Sequence, residues 1–264
     1  MLGSEIQKLY ADAVVSFDLP EFDITNTAQL ENAVKDADVV INCAAFTDVE
    51  KAESQYDLAC KVNAEAVGNL GKIAAKRNIY VIHISTDFVF DGRKESPYAE
   101  TDTPNPINAY GKSKYQGEIL LAQNHENYAI IRVEWTYGRH GNNFISKLLS
   151  LAKERGCLKV VDDQFGSPTW TAKAAEVIGE FVQKKPKGIF HYAAAGFASR
   201  YEVAKFIFDE LKLKTEIIPC KTSEFKSAAQ RPANSRFNCD KIKSLLDKPI
   251  EMWQKPLVKF LDTL

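Results

Sequence analysis

The residues of this sequence that could do chemistry lie in one short segment, Tyr110-Gly-Lys-Ser-Lys114, which opens a stretch of helical character. Four residues along a helix make about one turn, so the Tyr110 phenol and the Lys114 ammonium share a helix face. A fixed cation beside a phenol favours the phenolate and lowers a tyrosine pKa that is otherwise about 10. The pair therefore predicts a tyrosine that gives and takes a proton near neutral pH.

A second tyrosine has the same spacing to a lysine, in Tyr201-Glu-Val-Ala-Lys205. The spacing alone is weak evidence, because ten tyrosines in a lysine-rich chain give about one such match by chance. For Tyr201 we expect a packed helix face, with Lys205 exposed. Tyr110 differs in context, because Thr86 precedes it by 24 residues and directly follows a buried apolar run. Ligands bind at the carboxyl ends of strands in open α/β sheets, so we expect Thr86, Tyr110 and Lys114 to converge on one substrate oxygen.

The elements that must position these residues alternate between short apolar runs and longer amphipathic stretches. The runs that we predict as buried strands are Ala13–Phe17, Asp38–Ala45, Tyr80–Ser85 and Ala129–Val133. The helices between them are predicted at Asn26–Ala37, with Thr25 or Asn26 as N-cap, at Val49–Lys76 and at Ile107–Gln123. Strands separated by helices of this length predict βαβ units in a Rossmann-like, doubly wound parallel sheet of the α/β class.

After Trp135 the elements become shorter and mixed, which predicts a smaller α+β portion. Helices are expected at Asn143–Glu154, after Thr169, at Arg200–Leu211 and twice near the end of the chain, and strands at Leu158–Val161, Gly188–Ala194 and Glu216–Cys220. We therefore divide the chain into a dinucleotide-binding domain, residues 1–136 and 170–186, and a substrate domain, residues 137–169 and 187–264.

Thr86, Tyr110 and Lys114 together resemble the catalytic triad of the extended short-chain dehydrogenase/reductases. Longer segments, across essentially the whole chain, are similar to the dTDP-4-dehydrorhamnose reductases. These segments are Asn42–Glu53, Ser85–Gly92, Pro104–Lys114, Gly141–Phe144, Asp163–Thr169 and Arg231–Ser235. The resemblance implies NAD(P)H-dependent reduction of the C4 ketone of dTDP-4-dehydro-L-rhamnose to dTDP-L-rhamnose, for cell-surface polysaccharide. Related dehydratases carry a Glu two residues after the Thr; this sequence has Phe88 there, which favours a reductase.

The resemblance also implies roles for individual residues. Tyr110 would protonate the substrate oxygen, Thr86 would hydrogen-bond it, and Lys114 would hold the nicotinamide ribose and lower the Tyr110 pKa. The residues implied for the cofactor are Gly3, Asp18, Asp23, Ile24, Ala44, Ala45, Thr47, Ser85, Tyr110 and Lys114. Those implied for the nucleotide sugar are Thr86, Asp87, Trp135, Asn142, Asn143 and Arg231.

Three positions bear on how far the family pattern applies. Relatives begin with a strand and a Gly-x-x-Gly-x-x-Gly segment that binds pyrophosphate, and Met1-Leu2-Gly3 matches only its end. We therefore expect the sequence as given to lack a central strand and to bind cofactor poorly or not at all. Glu134 stands where relatives have a small hydroxyl residue, which leaves the sugar identity open. Asp18 follows the second predicted strand, where an acid repels a 2′-phosphate, so we expect NADH to be accepted at least as well as NADPH.

Composition argues against several other classes of protein. A net charge of -1 gives no reason to expect a nucleic acid or an anionic membrane as partner, and no apolar run approaches the roughly 18 residues of a membrane span. Five dispersed cysteines without a Cys-x-x-Cys pair argue against disulfides, and the histidines show no metal-ligand spacing. We expect a cytoplasmic protein with a small-molecule partner and no resident metal. The family resemblance leaves Mg²⁺ and a homodimer open.

Two alternative functions stay open at this point. One is a non-catalytic regulatory protein resembling the methionine adenosyltransferase β subunit, against which the complete set of Thr86, Tyr110 and Lys114 argues. The other is a different nucleotide-sugar 4-keto reductase or epimerase, which Glu134 motivates.

Overall fold

The computed structural model describes all 264 residues and contains ten strands. They are β1 (Val39–Asn42), β2 (Tyr80–Thr86), β3 (Tyr128–Val133), β4 (Thr136–Tyr137), β5 (Cys157–Val161), β6 (Phe165–Gly166), β7 (Thr169–Trp170), β8 (Gly188–Tyr192), β9 (Ala198–Ser199) and β10 (Glu216–Cys220). Four of them form a central parallel sheet in the order β1-β2-β3-β8, in which Ile82 pairs with both Ile41 and Ala129.

Eleven α-helices accompany the strands. They are α1 (Leu2–Leu9), α2 (Thr27–Ala33), α3 (Val49–Ser54), α4 (Tyr56–Cys60), α5 (Ala66–Arg77), α6 (Ala109–Asn124), α7 (Phe144–Glu154), α8 (Thr171–Lys184), α9 (Arg200–Glu210), α10 (Asp240–Lys243) and α11 (Gln254–Leu261). A π-helical turn, Lys61–Glu65, joins α4 to α5, and a 3-10 turn, Asp87–Val89, follows β2. None of the helices is both long enough and apolar enough to cross a membrane.

Helices cover both faces of the central sheet, as a doubly wound arrangement requires. Successive strand residues point to opposite faces, so Ile82 packs with α1 and α8 while its neighbour Val81 packs with α2, α5 and α6. The cluster on one face of the sheet contains Ile6 of α1 and Phe181 of α8, and the cluster on the other face contains Leu70 of α5. This confirms the predicted fold class.

The rest of the chain forms a second, smaller core of mixed composition. Strands β5 and β10 pair in parallel, and β6 pairs antiparallel with β9. Helices α7, α9 and α11 enclose a cluster of 15 buried residues that includes Phe208, Trp253 and Leu257. The division into a dinucleotide domain and a substrate domain stays a proposal.

Strand β8 pairs with β3 of the central sheet, so we propose that the domain boundary placed at residue 187 lies after Tyr192 instead.

Several predicted elements are confirmed with shifted ends. Asn26 caps α2, since its side chain accepts hydrogen bonds from the N–H groups of Ala28 and Gln29, but the helix ends at Ala33. The single helix predicted over Val49–Lys76 is interrupted at Gln55 and again by the π-helical turn. Periodicity detects a helical stretch well but does not register such interruptions.

The strand predicted at Ala13–Phe17 is wrong. The segment has no strand structure, and Val15 and Phe17 are exposed. A β-strand is stabilised by the ladder it forms with a neighbour. The segment pairs with no strand, and β1 pairs only with β2, so an apolar run here stays without ladder hydrogen bonds.

Candidate functional site

Thr86 ends strand β2 at the carboxyl edge of the central sheet, where its side chain is fixed by two local hydrogen bonds. The hydroxyl accepts from the Phe88 N–H at 3.2 Å and donates to Asp87 Oδ1 at 3.0 Å. Thr86 and Asp87 are both buried. The strand end therefore presents a hydroxyl of defined orientation, as predicted from the sequence.

Helix α6 brings Tyr110 to this strand end. Asn108 caps the helix by accepting a hydrogen bond from the Gly111 N–H at 2.8 Å. A Cβ atom on Gly111 would lie only 2.1 Å from the Phe88 carbonyl oxygen, so only glycine allows the first helical turn to approach the turn after β2. Tyr110 then packs edge-on against the Phe88 ring, and its hydroxyl has the Thr86 side chain as hydrogen-bond partner.

The acidity of Tyr110 differs from the expectation. Burial raises the pKa of Tyr110 to about 12; the hydrogen bond with Thr86 opposes this effect, and the nearby Asp87 charge adds to it. The expected acidification of Tyr110 by Lys114 is therefore wrong, because the desolvation of the phenol outweighs any attraction to the amine. Tyr110 is a neutral phenol at physiological pH, which is the form that donates a proton.

Lys114 lies one turn further along α6, buried behind the strand that carries Thr86. Its Nζ donates to the Ile84 carbonyl oxygen at 2.6 Å and lies 3.3 Å from Nε2 of His83. Burial lowers the pKa of Lys114 to about 8, against the opposing effects of Glu118 and Cys43. The three predicted catalytic residues thus meet at one edge of the sheet, with the amine held by β2.

Behind Thr86 lie two carboxyl groups. Asp87 accepts hydrogen bonds from Thr86 and, through its other oxygen, from Ser235, and burial raises its pKa. Glu134 is fully buried, and neither carboxyl oxygen has a hydrogen-bond partner of good geometry. Burial, and then the charge of Asp87, raise the pKa of Glu134 well above its ordinary value, so the side chain is held as a neutral acid. The guanidinium of Arg200 is the cation near both.

The side of the site predicted to bind the sugar carries an aromatic platform. Trp135 adopts the left-handed backbone conformation, with φ of 44°. The Arg200 guanidinium lies 3.5 Å from the centroid of its ring, a close cation–π contact. Arg231 forms an ion pair with Glu50 at 2.6 Å and donates to the Ser227 hydroxyl. Arg200 was not among the residues selected from the sequence.

The two predicted asparagines differ in what they do. Asn143 caps α7: its Oδ1 accepts from the N–H groups of Ile145 and Ser146, and its Nδ2 donates to the Gly138 carbonyl. Asn142 is exposed beside it. The predicted sugar contact of both residues stays a prediction, and capping α7 is a second role for Asn143.

The predicted cofactor residues lie in α1, in the segment before α2, in the loop after β1, at the end of β2 and in α6. Gly3 lies in α1, near Cys43 after β1, and Ala44, Ala45 and Thr47 are exposed or half-buried in the loop that follows. The Ser85 hydroxyl is buried with no partner in the chain, so it is free for a ligand group. Asp18 lines a cavity of about 560 Å³ beside α2. Asp23 accepts a hydrogen bond from the Thr25 N–H, whereas Ile24 packs into the core under α5.

Three polar residues that position the site were missed. His83 contacts Lys114, Asn42 contacts His83, and Asn63 bonds the Phe46 backbone and the Ser113 hydroxyl. All three are buried. The available signal was a polar residue inside an apolar run, which needs a partner when it is buried. The other Tyr-x-x-x-Lys pair behaves as expected, with Tyr201 packed against the second core and Lys205 exposed.

A doubly wound parallel sheet with a hydroxyl, a phenol and an amine gathered at its carboxyl edge defines the short-chain dehydrogenase/reductase class. Comparison with known proteins narrows this class. Residues 1–264 match the family described as the RmlD substrate binding domain. The chain belongs to this family of dTDP-4-dehydrorhamnose reductases. No group of three or more His, Cys, Asp or Glu side chains is placed to hold a metal ion.

Three relatives show how close the similarity is. The dTDP-4-dehydrorhamnose reductase of Sinorhizobium fredii is 35% identical over 255 residues, covering 92% of this chain and 86% of that protein. The dTDP-4-keto-6-deoxy-D-glucose reductase of Streptomyces niveus is 34% identical over 267 residues, covering 98% and 92%. The crystal structure of the Bacillus anthracis dTDP-4-dehydrorhamnose reductase in complex with NADP has a TM-score of 0.95 at 35% identity, covering 100% and 95%.

Proposed function

We propose that this protein reduces the C4 ketone of a dTDP-4-keto-6-deoxy sugar, dTDP-4-dehydro-L-rhamnose, with NAD(P)H, and so produces dTDP-L-rhamnose. The observation that carries the proposal is the contact between the Thr86 and Tyr110 side chains beside Lys114, at the sheet edge where ligands of this fold bind. Family membership supplies the substrate.

Side chains for the nicotinamide ribose and for the adenosine of a nicotinamide dinucleotide are present. The unpartnered Ser85 hydroxyl, Tyr110 and Lys114 would hold the nicotinamide ribose, and Ala44, Ala45, Thr47 and the start of α1 would line the pyrophosphate. Asp18 and Asp23 would face the adenosine. When bound, the nicotinamide supplies the hydride for C4.

The side chains of the protein supply the proton for the C4 oxygen. As negative charge develops on the C4 oxygen, Tyr110 donates its phenolic proton, which its raised pKa keeps in place until then. Thr86 orients the Tyr110 hydroxyl and hydrogen-bonds the same oxygen. Asp87 fixes the Thr86 rotamer by accepting the hydrogen bond that the Thr86 hydroxyl donates. In the proposed cycle this hydroxyl keeps its hydrogen and turns its hydrogen bond from Asp87 to the substrate oxygen.

Trp135 and Arg200 form the surface that would contact the sugar and its diphosphate. The stacked pair offers an apolar face for the sugar ring and a positive charge for the phosphates. Arg231 adds a second cation on the same side. Phe88 occupies the position of the dehydratase acid, so the site lacks the group needed to eliminate water. A cytoplasmic location stays a prediction, and oligomeric state and Mg²⁺ stay open.

A second candidate is the reduction of a different 4-keto-6-deoxy sugar nucleotide. The Streptomyces niveus relative, which is named for dTDP-4-keto-6-deoxy-D-glucose, and the acid at Glu134 favour this candidate. The regulatory alternative has no such support.

The test is oxidation of NADH and NADPH by the purified protein with each 4-keto sugar nucleotide, followed by absorbance, with NMR identification of the product. Turnover with the rhamnose precursor, and loss of turnover in Tyr110→Phe, are expected. Binding of NADPH without reduction of any 4-keto sugar would contradict the proposal. Faster reduction of another 4-keto sugar would favour the second candidate.

A further inference from the structure

Three buried side chains in contact with one another connect β1, at the edge of the central sheet, to helix α6. His83, on β2, is fully buried and lies between Asn42 at the end of β1 and Lys114 on α6. Its Nδ1 is 3.2 Å from Asn42 Nδ2, and its Nε2 is 3.3 Å from Lys114 Nζ. The proposed reaction steps do not use this imidazole.

The orientation of Asn42 determines which imidazole nitrogen carries the proton. Asn42 Oδ1 accepts the Ala44 N–H at 3.1 Å, so the amide NH₂ is the group that faces His83. An amide NH₂ can only donate, and therefore Nδ1 of His83 accepts. A neutral imidazole has one donor and one acceptor, so the proton sits on Nε2, which points at Lys114 Nζ.

An ammonium group has three donors and no acceptor, and it would face the Nε2–H donor of His83 without a hydrogen bond. An uncharged amine has a lone pair that accepts this N–H, and it still donates to the Ile84 carbonyl oxygen. We propose that His83 is a positioning residue whose tautomer, set by Asn42, lowers the proton affinity of the Lys114 amine. The functional meaning rests on the role of Lys114 in the proposed reaction.

The other charged and titratable groups around the amine are few. Glu118 on the same helix and Cys43 after β1 favour the ammonium, whereas burial disfavours it and lowers the pKa of Lys114 to about 8. Burial, followed by the Lys114 charge, lowers the pKa of His83 well below its ordinary value, so a doubly protonated imidazole is not the bridging form.

A second buried histidine shows the opposite arrangement. Nδ1 of His191 faces the Tyr98 carbonyl oxygen at 3.0 Å, and its Nε2 is 3.3 Å from Nη1 of Arg132. The carbonyl accepts and the guanidinium donates, so the proton of His191 is on Nδ1. His191 thus shows the tautomer that a permanently cationic partner requires, with the proton on Nδ1. His83 has the other tautomer, with the proton on Nε2.

For catalysis, the uncharged amine keeps one further N–H for a ligand hydroxyl and a capacity to take up a proton. An amine that exchanges its proton near neutral pH is suited to relay a proton to the site after Tyr110 has donated its own. A permanently charged ammonium could only hold and orient.

The first test is the tautomer itself, read from imidazole ¹⁵N shifts and their ring-proton couplings in the full chain at neutral pH, with the His83 signals assigned by their loss in His83→Phe. Protonated Nε2 at His83 and protonated Nδ1 at His191 are expected. Protonated Nδ1 at His83 overturns the proposal. This measurement needs no turnover, so it is independent of the proposed reaction.

The second test follows the ¹³Cε shift of Lys114 with pH in wild type and in Asn42→Asp. Aspartate is isosteric with asparagine and keeps the acceptor for the Ala44 N–H, but it presents an acceptor to Nδ1 and so moves the imidazole proton to Nδ1. Nε2 then accepts from an ammonium, and the proton affinity of Lys114 should rise by at least about tenfold.

A matched pair separates this effect from the charge of the new aspartate. In the His83→Phe background the same Asn42→Asp change should alter the proton affinity of Lys114 by less than about threefold, because no imidazole transmits the change. An equal rise in both backgrounds would show that the charge acts directly on Lys114 and would overturn the proposed role of His83.

Discussion

Arg132 and Glu118 form a bidentate ion pair buried between strand β3 and helix α6. Arg132 Nε lies 2.9 Å from Glu118 Oε1 and Nη2 lies 2.6 Å from Oε2, with both side chains at most 2% exposed. Helix α6 also carries Tyr110 and Lys114. Since a fork-to-fork pair has one good geometry, it fixes the position of the helix on the sheet, and with it the distance of the phenol from Thr86.

Removing one partner of this pair should destabilise the protein strongly. Glu118→Gln leaves the Arg132 charge buried without a counter-ion, which costs about 3–5 kcal/mol. The control is Asp240→Asn in the exposed Lys243–Asp240 pair, which should cost far less because water screens both charges. Urea unfolding monitored by circular dichroism gives both values. Equal losses in the two variants would show that the buried pair has no special role.

The fold was largely predictable because its signals are local. Buried strands such as β2 and β3 are nearly continuous apolar runs, and helices such as α6 begin at a capping residue. The strand expected at Ala13–Phe17 failed for a non-local reason. An apolar run becomes a strand only where a neighbouring strand supplies the ladder, and a local pattern carries no information about that neighbour.

The sequence predicted the site residues that belong to a recognisable motif, namely Thr86, Tyr110 and Lys114. It did not predict the pKa changes that depend on burial. The sequence predicted that a nearby cation would acidify Tyr110, but desolvation dominates, and its size depends on how completely the surrounding chain excludes water. His83 and Arg200 were missed because their partners are distant in sequence.

The neutral acid at Glu134 predicts a pH-dependent difference in stability. Its folded-state pKa is raised, by burial first and then by Asp87, so its stabilising contribution is complete below the unfolded pKa of about 4.3 and is lost as pH rises above it. Glu134→Gln cannot ionise. The variant should therefore gain stability relative to wild type as pH increases, by up to about 1.4 kcal/mol per pH unit. Urea unfolding from pH 4 to about 8 measures this, with the exposed Glu126→Gln as control. A constant difference across the range would refute the assignment.

Tyr110→Phe should abolish most of the turnover while leaving the protein folded. The change removes the proton donor only, and general acid catalysis contributes about 10²–10⁴-fold. Tyr201→Phe, in the second Tyr-x-x-x-Lys pair, is the matched control and should retain activity. Steady-state kinetics with NADPH titration by fluorescence gives kcat and cofactor affinity separately. Retention of more than about a tenth of wild-type kcat in Tyr110→Phe would mean that another group supplies the proton.

Asp18 should govern the choice between the two dinucleotides. Its carboxylate lines the cavity beside α2, where it would repel a 2′-phosphate. Wild type is expected to use NADH at least as well as NADPH, and Asp18→Ser should raise the NADPH-to-NADH ratio of kcat/KM by about tenfold. The exposed Asp12→Ser, outside the cavity, serves as control. A wild-type preference for NADPH above about tenfold would contradict the assigned role.

A substitution at Gly166 tests the proposed contact between Trp135 and the sugar. A Cβ atom on Gly166 would lie 2.5 Å from the Trp135 ring, so the indole, which contacts Arg200, must shift. Gly166→Ala should therefore raise KM for the nucleotide sugar by about tenfold or more while leaving cofactor affinity within a few-fold, because only the sugar side is displaced. Gly156→Ala is the matched control, since a Cβ atom there meets nothing within 4 Å and the same loss of backbone freedom is imposed. If Gly166→Ala lowers cofactor affinity as much as sugar affinity, Trp135 belongs to the shared scaffold and does not form a sugar-specific surface.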